Sequence, residues 1–178
     1  MQPENETRLR KIERISGFLR GLCKLALSFY VAMTLVMVWS MLGGPGHDFM
    51  GANYVNFHIH ELPARDRLIV GAMWAATGGI MFKAVFHIHQ LLGNYSRGEI
   101  FTRESASQVQ QWGFAWILWG VIKLLWLGVP HIVPGAHRVA GAAELEALGV
   151  IFNGLIIMGF SWFTAMAVEM REEQELTV

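Results

Sequence analysis

Two lysines, Lys83 and Lys123, stand inside long apolar stretches of this chain. An ionisable side chain in hydrocarbon needs water, a counter-charge or an aromatic face, so such positions are functional candidates by default. Lys83 shares one helical face with Ala76, Gly79, His87 and Gln90. The small residues of that face permit close helix approach, and its polar residues must meet protein, water or headgroups. Lys123 falls in a stripe with Trp112, Trp116, Trp119 and Trp126, at alternating spacings of four and three. Counted from the same end of their helices, the two lysines lie within roughly 3 Å of one another in depth. Asn153, in the last apolar stretch, lies near Lys123 in depth. Lys83, Lys123, Asn153 and Trp119 are therefore the candidate walls of an intramembrane cavity for an anion or a proton. The competing reading is that both lysines snorkel along their aliphatic stems. No Asp or Glu lies in the middle of an apolar stretch, so neither lysine has an evident counter-ion.

The histidines suggest a second chemistry. His58 and His60 form an H-x-H pair, which in extended chain points both rings the same way. With His131 or His137 they form a candidate Zn²⁺ or Cu²⁺ site. The alternative is interfacial histidines without a ligand, and no cofactor is otherwise expected. His87 and His89 diverge by about 200° on a helix and cannot chelate together. Cys23 is the single cysteine, so a multi-cysteine metal site is excluded. No HExxH, Walker, GxGxxG or GxSxG pattern occurs, and Glu144 and Glu146 suit the start of a helix. A non-enzymatic protein is the expectation.

These residues must be positioned by membrane spans. The chain is 53% hydrophobic over 178 residues, with no net charge and a mean hydropathy of +0.37. Its polar residues cluster at the ends and in three short loops. Four stretches, 21–43, 68–92, 112–129 and 145–168, approach the roughly 20 residues that cross a bilayer as helix. The expected fold is all-α, an integral membrane four-helix bundle forming a single domain over 1–178. A basic amphipathic arm over 8–20 could lie on the membrane before turning into the first span, or could be a solvated helical lead-in to it. A largely polar lead of about 20 residues precedes that span, so it reads as retained rather than as a signal peptide.

Charge gives an orientation. Arg8, Arg10, Lys11, Arg14, Arg20, Lys24, Arg97, Arg103 and Arg171 fall on one side, against Arg65, Arg67 and Arg138 on the other. The positive-inside rule then puts both termini in the cytoplasm. The zero net charge gives no reason to expect direct nucleic-acid binding. In the first outer loop, residues 54–60 alternate as a short extended piece would. In the inner loop Thr102, or Ser105 with Gln108, can cap the third helix.

Two short motifs carry a resemblance. The tail Glu172-Glu173-Gln174-Glu175-Leu176-Thr177-Val178 and the inner loop Gly98-Glu99-Ile100-Phe101-Thr102, followed by Gly113, resemble the YoaS-like family of small bacterial membrane proteins, domain of unknown function 2975. The resemblance implies four spans in a bacterial inner membrane and no reaction. Some members sit beside a small helix-turn-helix regulator, which implies an accessory or regulatory role. Glu99, Phe101, Glu173, Glu175 and Leu176 become candidate contacts for a cytoplasmic partner. The leading expectation is thus an accessory membrane protein with a partner-binding inner face. Ligand or ion handling at Lys123 and Lys83, and metal binding outside, are the alternatives.

Overall fold

A computed structural model describes residues 3–41, 55–56, 62–100, 102–134, 137–138 and 143–176. Four helices dominate it: α1 Pro3–Met41, α2 Ala64–Ser96, α3 Arg103–Ile132 and α4 Ala143–Leu176. Each contains a stretch long and apolar enough to cross a membrane. Two two-residue strands, β1 Val55–Asn56 and β2 His137–Arg138, pair antiparallel and tie the α1–α2 loop to the α3–α4 loop. The extended reading of residues 54–60 thus holds at 55–56, and the rest of that segment lies outside the described residues.

Every helix overruns its apolar stretch, because charged turns continue the helix into water. Of the two readings of the amino-terminal arm, the structure shows the helical lead-in: α1 runs unbroken for 39 residues, about 58 Å. No glycine–proline punctuation interrupts it until beyond Met41. At the inner loop, Thr102 takes the capping role, its Oγ1 accepting the Ser105 amide at 3.1 Å.

The helices pack in series, α1 on α2, α2 on α3 and α3 on α4, among the described residues. The four-helix, all-α expectation thus holds, with each helix packed chiefly on its neighbours in sequence. α3 is the most buried of the four and α1 the least. Large apolar side chains face outward, Leu25, Phe29, Phe152, Trp162 and Phe163 among them. That inside-out distribution suits lipid, where small residues form the helix interfaces.

The α3–α4 interface shows why. Ala106, Gly113 and Gly120 recur at heptad spacing on α3, and Ala147, Gly154 and Ser161 do so on α4. A Cβ built on Gly113 would stand 3.0 Å from the Gly154 carbonyl, and one on Gly120 would stand 2.9 Å from the Ala147 carbonyl. Ser161 Oγ donates to the Ala106 carbonyl at 3.1 Å. Two close backbone approaches and one hydrogen bond, at heptad spacing, set one register. Gly120→Leu should therefore cost about 1–3 kcal/mol or more by overpacking. Thermal unfolding in detergent should show the loss, while Gly128→Leu, at a glycine with open space around it, should leave the midpoint within error. Equal effects of the two would refute the assigned interface.

Candidate functional site

The register of α3 on α4 brings Lys123 to the first turn of α4. Lys123 is buried, 5% exposed, and its Nζ donates to Glu146 Oε1 at 2.5 Å. Glu146 is the counter-ion that hydropathy hid. It lies at the end of an apolar stretch, one turn into a helix that runs antiparallel to α3, and a four-carbon stem spans the remaining depth. The ammonium also stands 4.8 Å from the centroid of the Trp119 ring, a cation–π geometry. A buried charge is tolerated when it is paired in this way.

The tryptophan stripe forms one surface, with unequal burial. Trp126 is fully buried and its Nε1 donates to Thr77 Oγ1 on α2 at 3.0 Å. Trp112, Trp116 and Trp119 are half-buried and meet edge to face, at centroid distances of 6.4 and 5.2 Å. Between this surface, α2 and α1 lies a cavity of about 230 Å³. Tyr30, Trp74, Thr77, Met81, Trp119, Lys123 and Trp126 line it. Its walls are indole faces, with one ammonium and two hydroxyl groups among them.

Two expected members stand elsewhere. Asn153 is exposed, because the face of α4 that meets α3 is set by its neighbour Gly154, and one residue of helix turns a side chain by about 100°. Lys83 is also exposed and does not line the cavity. α2 presents Thr77, Met81 and Ala84 to α3, and Lys83 points away from that face. His87, expected beside Lys83, contacts Gln108 Oε1 on α3 at 2.6 Å. Tyr30, Trp74, Thr77 and Glu146 were not anticipated. The heptads of small residues were the sequence signal for Glu146, since they predict which ends of α3 and α4 meet.

Among the described residues no three His, Cys, Asp or Glu side chains gather as a metal site. His58 and His60 lie outside the described residues. His131 is exposed in the last turn of α3, and His137 belongs to β2, its side chain outside the described set. The β1–β2 pair does bring the two outer loops together.

The inner turn is closed on itself. Gly98 takes φ +78°, a conformation that favours glycine. Arg97 donates to Asn94 Oδ1 at 2.6 Å and to Glu99 Oε2 at 3.1 Å. Ser105 Oγ donates to the Glu99 carbonyl at 2.9 Å. Much of the recognisable loop motif is thus explained by the turn it builds. Glu99 is exposed and Phe101 lies outside the described residues. Glu173 is exposed on α4, and the side chains of Glu175 and Leu176 lie outside the described set.

Fold and site define a multi-pass helical membrane protein with an aromatic, lysine-bearing cavity. The chain belongs to the DUF2975 family, proteins of unknown function, whose model matches residues 49–178. No curated protein and no solved structure matches it.

Lys123 and Glu146 should behave as one unit. Because Glu146 is half exposed, Glu146→Gln should cost only about 1 kcal/mol, and Lys123→Met should offset much of that loss. A double-mutant cycle on thermal unfolding measures the coupling. Strictly additive effects would show that the pair is not coupled.

Proposed function

We propose that this protein binds a small, flat, anionic molecule in the Lys123 cavity, as a non-enzymatic component of the bacterial inner membrane. The cavity itself carries the reading. Three indoles offer faces for a planar ring, Tyr30 and Thr77 offer hydroxyl groups, and Lys123 offers a charge held ready by a partner that an anion can replace. A site that is largely apolar with a few convergent polar groups is the usual form of a small-ligand pocket. The distribution of basic residues supports an orientation with both termini inside.

A suitable probe is 2-naphthoate, a planar aromatic anion. It should quench tryptophan fluorescence saturably in the detergent-purified protein, and Lys123→Met should raise its Kd by about tenfold, the effect of losing one charge-assisted hydrogen bond. Unsaturable quenching, or a Kd unchanged in a folded Lys123→Met variant, would count against the proposal.

A second reading keeps the cytoplasmic partner. α4 continues past its contact with the start of α3 to Leu176, and presents exposed Glu169 and Glu173 at the end where the Arg97–Glu99 turn lies. Deleting Glu172–Val178 should release any protein that co-purifies stoichiometrically. Retention of that protein by the truncated chain would eliminate the tail as the contact.

A further inference from the structure

The seam between α1 and α2 joins a cationic cluster to an apolar groove along one line. On α1, Val38, Leu35, Val31, Lys24 and Arg20 succeed one another at spacings of three, four, seven and four. On α2, Gly71, Ala75, Gly78, Phe82 and His89 follow at four, three, four and seven. Both series keep to a single helix face. In the middle of the seam, Val31 and Leu35 from α1 with Ala75, Gly78 and Phe82 from α2 line an apolar groove of about 350 Å³.

The cationic cluster lies farther along, toward the end that holds both termini. Arg20 Nε donates to His89 Nε2 at 3.3 Å. An arginine nitrogen has no lone pair to offer, so His89 accepts there and carries its own hydrogen on Nδ1. The guanidinium rests over Gly93, its Cζ 3.3 Å from where a Cβ would stand. Lys24, one turn along α1, is exposed, and its charge reaches the same imidazole. Among the described residues neither Arg20 nor Lys24 has a carboxylate partner. The nearby Glu13 points instead toward Gly98.

We propose that this seam binds one anionic glycerophospholipid. Its phosphate sits on Arg20 and Lys24, with His89 holding the Arg20 guanidinium in place, and one acyl chain lies in the groove. Seven residues of helix separate Lys24 from Val31, about 10 Å, which a glycerol and the first methylenes span. The headgroup supplies the negative charge that the cluster lacks among the described residues, and the chain covers the apolar groove beside the exposed Gly79. This site is separate from the Lys123 cavity and stands without it.

The test is native mass spectrometry of the full chain in a neutral detergent, titrated with dioleoylphosphatidylglycerol or dioleoylphosphatidylcholine. The protein should retain one phosphatidylglycerol at least tenfold more tightly than phosphatidylcholine. Arg20→Gln and Lys24→Gln should each weaken that preference by about fivefold, and the pair together should abolish it. Gly79→Leu, which fills open space in the groove, should weaken both lipids and keep the preference. Millimolar inorganic phosphate should leave the lipid bound. Equal retention of the two lipids, or a preference unchanged in the single variants, would overturn the proposal. Displacement by phosphate alone would make this a site for a free anion and would also overturn it.

Discussion

Gly113 and Gly120 of α3 lie against the carbonyls of Gly154 and Ala147 on α4, so the two helices meet backbone to backbone. Hydrocarbon offers no hydrophobic drive for two helices to associate, and close packing of small residues takes its place. A contact this tight allows one register. That register carries Glu146 to Lys123 and makes a buried ammonium tolerable. It also turns the opposite face of α3, with its tryptophans, toward α2. The cavity is the space left where large indoles on one side prevent the close approach that glycines allow on the other.

The same requirement explains how polar groups are placed elsewhere. Among the described residues no buried side-chain nitrogen or oxygen lacks a hydrogen-bond partner. Thr77 takes the Trp126 indole, Ser161 takes a backbone carbonyl, and Asn94 with Ser105 closes the inner turn. α1 stands at the edge of the row, touching chiefly α2. Its exposed apolar residues suit a lipid environment.

Much of the fold could be read from composition and periodicity. The four spans, the capping by Thr102 and the extended conformation at residues 55–56 follow from local chemistry. Each is dictated by residues adjacent in sequence or one helical turn apart. The arm before the first span stayed open in the sequence because amphipathicity describes a face, and a face is compatible with either a surface helix or a straight one. The site was only half legible. Lys123 and Trp119 stood out because a charge in an apolar run needs company. Asn153 was matched to Lys123 by depth, and depth says nothing about rotation around the helix axis.

The sequence by itself determined that this is a chain of four helices able to cross a membrane, with a lysine inside each of two of them. Hydropathy and length suffice for that, since water and lipid sort residues one segment at a time. The tertiary structure decided which residues meet. Glu146 rather than Asn153 became the partner of Lys123, and Arg20 came to rest on His89. Those pairings depend on helix register and rotation, and both are set by contacts between segments that no single segment contains.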